Sequence, residues 1–171
     1  MTFVKIFIVL VSFTVLETVL GAAIQNTTQQ HYNADKIVGR WFLITAVSNY
    51  RASEIPECIT VDINKEKNNI VNFTINISNT DSNYLEFSGT AQIVNSQIRG
   101  ISSSTVEHAG ALDIIDYEND HDIVLHDKET SVYLILGRSP SSVSRKLNAK
   151  YRHIASRNNL LYITMKGINC L

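Results

Sequence analysis

From Trp41 onward, apolar side chains recur at nearly every second position, the period of a strand with one buried face. A first strand is predicted over 41–50 and a second over 58–65, with Ile59, Val61 and Ile63 on one face. After the turn at Lys67-Asn68-Asn69, a third sets Val71, Phe73, Ile75 and Ile77 against Asn72, Thr74 and Asn76. The fourth, 84–94, turns Leu85, Phe87, Ala91 and Ile93 one way, with Gly89 as a bend. A weak fifth follows around 97–101, and 102–110 reads as a loop. Strands six (111–117) and seven (122–127) come next, the sixth with Leu112, Ile114 and Asp116 in phase. Strand eight (131–138) has Val132, Leu134, Leu136 and Arg138 in phase. Eight sequential strands on short turns predict an all-β fold, an eight-stranded up-and-down antiparallel barrel with room for one small ligand.

One helix is predicted to pack outside the barrel. Ser139 can cap it, Pro140 suits its first position, and Val143, Leu147, Tyr151 and Ile154 form its apolar stripe. Arg145, Lys146, Lys150, Arg152 and Arg157 make its other face basic. That face reads as solvated, with a phosphate- or heparin-binding role as the functional alternative. A short last strand, 160–165, leads to Cys170. There is no internal repeat.

The N-terminus changes the setting. Lys5, the apolar run over 6–16 and Gly21-Ala22-Ala23 predict a signal peptide over 1–23, leaving one domain over 24–171. Glu17 interrupts the run short of the roughly 20 apolar residues a membrane span needs. In an oxidising compartment the two cysteines, Cys58 and Cys170, favour one disulfide over a free catalytic thiol. Three glycosylation sequons begin at Asn26, Asn72 and Asn76. The last two fall on the polar face of strand three, so a glycan and an inward apolar face are compatible only in this register. A net charge of −1 gives no reason to expect nucleic acid or an anionic membrane as partner.

No catalytic constellation emerges. The serine clusters at 102–104 and 139–144 lack a nucleophile-elbow pattern, and the five histidines show no metal-ligand spacing. Glu107-His108 falls in a loop at the barrel mouth, where a haem or amine contact competes with an ordinary loop histidine. No enzyme activity, cofactor or metal is expected. The inward set, uncharged throughout, is either a filled core or the lining of a cavity, and the small residues Gly89 and Ala91 favour a cavity.

Three stretches then line up in order. Asp35 to Phe42 contains a Gly-x-Trp opening strand one, Ile115-Asp116-Tyr117-Glu118-Asn119 lies between strands six and seven, and Leu136-Gly137-Arg138-Ser139-Pro140 ends strand eight. With them the mature chain resembles a lipocalin, most of all the apolipoprotein D and insect bilin-binding group. The resemblance implies a bridge from Cys58 to Cys170 and Arg138 stacked over Trp41 at the closed end. It makes Gly39, Trp41, Asp116, Tyr117 and Arg138 structural. It departs where Ile115 replaces the usual threonine, and where the mature N-terminus and strand seven lack a second bridge.

The function it implies is secreted carriage of a small hydrophobic molecule: a lipid, sterol, tetrapyrrole or pheromone-like compound. Phe73, Phe87, Leu112 and Leu134 would line the pocket, with Tyr50, Tyr84 or His108 bonding a polar end at the rim. The alternative is a secreted effector or inhibitor on the same scaffold, acting through its surface and loops.

Overall fold

The computed structural model describes residues 32, 34–50, 55–79, 84–103, 106–109, 111–118, 120–140, 143–167 and 170. The segment read as a signal peptide and the sequon at Asn26 lie outside the described residues.

A short helix α1 (Ala34–Ile37) precedes strand β1 (Gly39–Ser48). Then come β2 (Cys58–Lys65), β3 (Ile70–Ser78), β4 (Tyr84–Val94), β5 (Gln97–Ser103) and β6 (Val106–Ala109). The chain continues through β7 (Leu112–Glu118), β8 (Asp122–Asp127), β9 (Val132–Gly137), helix α2 (Arg145–Arg157) and β10 (Leu161–Thr164). All strand pairs are antiparallel, and β1–β9 pairing closes the sheet into a barrel of eight strands. β6 and β10 are additions to it.

The tight turns sit where the sequence supplies residues tolerant of positive φ. Asn68 and Asn69, at φ 57° and 60°, connect β2 to β3, and Asn95 and Ser96, at 48° and 63°, connect β4 to β5. Two consecutive positive φ values match the right-handed twist of the strands they join.

Alternation along the strands holds, and it sorts side chains into two cores. The inward set predicted from β2, β3, β4, β7 and β9 shares one cluster, joined by Ile98, Ile123 and Leu125. Outside the barrel, α2 lays Leu147, Tyr151 and Ala155 on Val47, Val124 and Ile135. The three helix residues follow i, i+4, i+8, one stripe of a helix. Among the described residues no helix is long and apolar enough to cross a membrane.

Four expectations need correcting. The stretch 102–110 is not merely a loop, since β6 folds back on β5 by pairing Val106 with Ser103. Asp116 is not in phase with Ile114: the register shifts between them, leaving Ile115 exposed and turning Asp116 toward α2. The helix is capped by Ser144, not Ser139. Its hydroxyl accepts from Leu147 N at 3.2 Å, its amide donates to Asp122 at 2.8 Å, and its hydroxyl donates to Glu118. A residue with three such partners outcompetes a cap that offers only the right composition. Lastly, β1 ends at Ser48, short of the predicted boundary at Tyr50.

Candidate functional site

One end of the barrel is sealed. Trp41, 1 % exposed, opens into the core from β1, and its indole N–H donates to the Ile37 carbonyl at 2.7 Å. The α1 residues Ala34 and Ile37 are fully buried against it. Arg138, just after β9, lays its guanidinium 3.6 Å from the indole centroid. The same group donates to the carbonyls of Val38 at 2.8 Å and Arg40 at 3.0 Å. Burial pushes the Arg138 pKa down, partly offset by Tyr117 and Asp120, and at physiological pH it remains a cation.

Gly39 makes this contact possible. Its φ is +108°, and a Cβ there would stand 2.8 Å from Nη1 of Arg138. Tyr117 completes the floor by donating to the Lys36 carbonyl at 2.9 Å, with Tyr32 against its ring at 5.3 Å. Desolvation, reinforced by Asp120, pushes the Tyr117 phenol up to about 12.

The opposite half is different. Val61, Phe73, Ile75, Leu85, Phe87, Leu112 and Leu134 face the same interior, yet each remains half-buried while packed on the core cluster. Below them, Val71, Ala91, Ile93 and Ile123 are sealed to 3 % exposure or less. Cross-strand registers set Phe73 beside Gly89 and Phe87 beside Ile75, so the two rings project from neighbouring strands at successive levels. Gly89 carries no side chain beside Phe73. The result is an apolar interior with a tight floor and more loosely buried walls, interrupted by Ile59 and Ile77, each 5 % exposed.

Among the described residues the rim shows Asp127 and Tyr50. Asp127, buried at the mouth end of β8, commits its carboxylate to the turn: it accepts from Glu129 N at 2.9 Å and Thr130 Oγ1 at 2.6 Å. Tyr50 stands exposed just past β1, its amide donating to Ser48 Oγ at 2.9 Å. Tyr84 starts β4 and His108 lies in β6, but their side chains are outside the described residues. Among the described residues no group of acidic, histidine or cysteine side chains is arranged to hold a metal.

The remaining sequence-predicted positions are dispersed. Cys58 and Cys170 are disulfide-bonded, tying the C-terminus to the start of β2 across 112 residues. Asn72 and Asn76 lie on the outer wall of β3. Asn72 donates to Glu66 at 2.6 Å and Asn76 to Thr60 at 3.3 Å. Asp116 lies outside the barrel, accepting from Lys150 at 2.7 Å and from the Tyr151 hydroxyl. Sequence reasoning left Val61, Ile75 and Leu85 out of the pocket, although their alternation with polar neighbours carried the signal. It left out Tyr32 of the floor as well, which no local pattern marks.

The same architecture occurs in solved structures. Lobster apocrustacyanin A1 superposes with a TM-score of 0.56 at 15% identity, covering 78% of this chain and 78% of that one. Siderocalin Q83 gives 0.60 at 13% identity, covering 81% and 94%. The cockroach allergen Per a 4 gives 0.56 at 12% identity, covering 85% and 93%. These neighbours are lipocalins.

The chain has the lipocalin fold.

No protein-family profile and no curated protein matches the sequence. At such identities the likeness establishes the lipocalin fold alone. What the fold holds must come from this chain's own residues.

Proposed function

We propose that the protein is a secreted lipocalin that carries a small hydrophobic molecule in its barrel. One observation carries this reading: among the described residues the inward walls beside the Trp41 floor are apolar, uncharged and only partly buried. A core built only for stability seals such side chains to native density. Completing the burial of Phe73 and Phe87 by a ligand contributes about 1 kcal/mol for each ring.

Among the described residues the lining bears no charge, so the buried part of the cargo is a neutral hydrocarbon framework in this reading. Any polar end belongs at the rim near Tyr50, Tyr84 or His108. A lipid, sterol, tetrapyrrole or pheromone-like compound meets that description. Siderocalin Q83 is described as having a dual ligand binding mode, which agrees with a barrel of this shape accepting unlike molecules. Residues 1–23 serve as the export signal in this reading, and Asn26, Asn72 and Asn76 are available for glycosylation. The two cysteines are bonded to each other, which agrees with a protein that acts by binding.

The test has two arms. Native mass spectrometry of gently purified protein finds a co-purified apolar molecule of a few hundred daltons. In titrations with the neutral dye N-phenyl-1-naphthylamine, Phe87→Asp and Phe73→Asp lose uptake while circular dichroism stays that of the wild type. If both folded variants bound the dye normally, the pocket would lie elsewhere and the surface-acting alternative would take its place.

A further inference from the structure

The outer face of α2 is unlike the rest of the molecule. Its thirteen residues include Arg145, Lys146, Lys150, Arg152 and Arg157 and no acid, in a chain whose net charge is −1. All five are exposed. We propose that this face binds a linear sulfated polysaccharide. The proposal goes beyond the carrier reading and does not depend on it.

Helical spacing orders the cations into two lines. Lys146, Lys150 and Arg157, at i, i+4 and i+11, run along one side with His153 among them. Arg145 and Arg152, at i and i+7, run along the other. Between the lines lie the exposed small residues Ala149 and Ser156. The longer line spans about 16 Å of helix axis. An extended polyanion can lie along this shallow track with cations on both flanks.

Three features point to a ligand and away from simple solvation. First, Arg145 and Lys146 occupy the first turn, where the helix dipole disfavours cations. That terminus already has its anions, since Asp122 and Glu118 engage Ser144. Second, the arginines Arg145, Arg152 and Arg157 carry no ion pair among the described residues, while Lys146 and Lys150 lie near Glu118 and Asp116. Arg152 is positioned by its own surroundings, with Asn148 at 2.7 Å and the Tyr162 ring at 4.7 Å. Guanidinium forks match the paired oxygens of sulfate groups better than ammonium does.

Third, the alternatives lack their own requirements. A helix that enters a membrane surface needs a free apolar face, and here Leu147, Tyr151 and Ala155 are 3 % exposed or less against the barrel. Single-stranded nucleic acid needs exposed rings for base stacking, and of the rings beside these cations Tyr151 is buried and Tyr162 is covered by Arg152. The sequons at Asn72 and Asn76 lie on the outer face of β3, which pairs with none of the strands beneath α2 and contributes no residue to the cluster under the helix, so glycans there start from another part of the wall.

The experiment measures binding of size-defined heparin oligosaccharides across a salt series, with the wild type and Arg145→Ser/Arg157→Ser. In the wild type, affinity falls as salt rises, and retention on heparin exceeds that on a sulfopropyl matrix of similar charge density. The double variant weakens binding about tenfold or more and lowers the log–log salt slope by about one to two, since each lost contact removes roughly 0.7–0.9. Its uptake of the neutral dye stays unchanged, which shows an intact fold and a separate pocket. Equal retention on the two matrices, an unchanged salt slope in the variant, or tighter binding to phosphatidylglycerol vesicles than to heparin would each overturn the proposal.

Discussion

Removing the cation from the floor tests how the closed end is held. Arg138→Met keeps an unbranched apolar stem but deletes the planar charge that lies 3.6 Å from the Trp41 centroid. The stack is partly desolvated, which places its contribution at about 1–2 kcal/mol. The carbonyls of Val38 and Arg40 also lose their donors. A hydrogen bond from a charged donor contributes about 1.5–3 kcal/mol when sheltered, but the Arg40 contact is exposed and water can replace it. Counting one such bond and discounting for the half-exposed setting gives a loss of about 2–4 kcal/mol. For a domain of this size that lowers Tm by about 5–15 °C.

Thermal unfolding followed by far-UV circular dichroism and by emission of the single tryptophan reads both the fold and its plug. Arg138→Lys recovers little, because an ammonium neither stacks nor forks. Gly39→Ala supplies the coupling. Its Cβ would meet Nη1 at 2.8 Å on a backbone at φ +108°, a strain of about 1–3 kcal/mol plus a displaced guanidinium. Once Arg138 is methionine the clash is gone, so Gly39→Ala should cost less. If Arg138→Met melts within about 2 °C of the wild type, or the two changes add to within about 0.5 kcal/mol, the stack does not hold the floor.

Other regions give sharper readings of single effects. Cys58→Ser with Cys170→Ser opens a loop across 112 residues and should cost about 2–5 kcal/mol, seen as a lower urea midpoint with little change in native circular dichroism. His126 stacks on Tyr133 at 4.2 Å with its Nε2 buried and unpartnered; desolvation lowers its pKa below 6.5 although Asp113 and Asp127 pull the other way. A group whose folded pKa is depressed favours the fold above its unfolded pKa, so this contribution fades as pH falls below about 6.5. His126→Phe keeps the stack and should flatten stability between neutral and mildly acid pH; an unchanged slope there would remove His126 from the acid response. Tyr117, pushed up to about 12 by desolvation and Asp120, works in the opposite sense: its contribution is full below about 10 and declines above it. Tyr117→Phe should reduce the stability lost between neutral and strongly alkaline pH.

Much of the fold was legible because a barrel wall is read with a period of two. Ile59, Val61 and Ile63, or Val71, Phe73, Ile75 and Ile77, have polar neighbours at every alternate position, and a slip by one would invert both faces. What escaped was set by contacts distant in sequence. Val106–Ala109 pairs with β5, and its four residues, Val-Glu-His-Ala, show no alternation that marks a strand. Leu112, Ile114 and Asp116 looked continuous, but Lys150 and Tyr151, more than thirty residues later, draw Asp116 to the outer face through a bulge. Ser139-Pro140 has the composition of a helix start, and Ser144 prevails through Glu118 and Asp122. The site was least legible. Val71 and Ile75 lie on the same face of β3, and only the folded barrel buries Val71 to 2 % exposure while Ile75 stays partly buried.

That contrast between floor and wall also locates where the barrel can yield. β2–β3 and β3–β4 are paired along nearly their whole lengths, and the Trp41–Arg138 stack pins the bottom. Among the described residues β5 meets β7 through Gln97 opposite Asp113 and Ile98 opposite Leu112. Above that level β5 pairs with β6 instead, and the wall divides into a β5–β6 hairpin and the β7–β8 pair. Gln97 reinforces the last rung by bonding Asp113, which Lys128 also engages. An apolar lining discriminates weakly among apolar molecules, each methylene changing affinity only modestly. Under the carrier reading proposed above, selection would come from how far this divided wall spreads around a guest, with Leu112 at the last described rung of the seam and Phe73 and Phe87 on the fully laddered side.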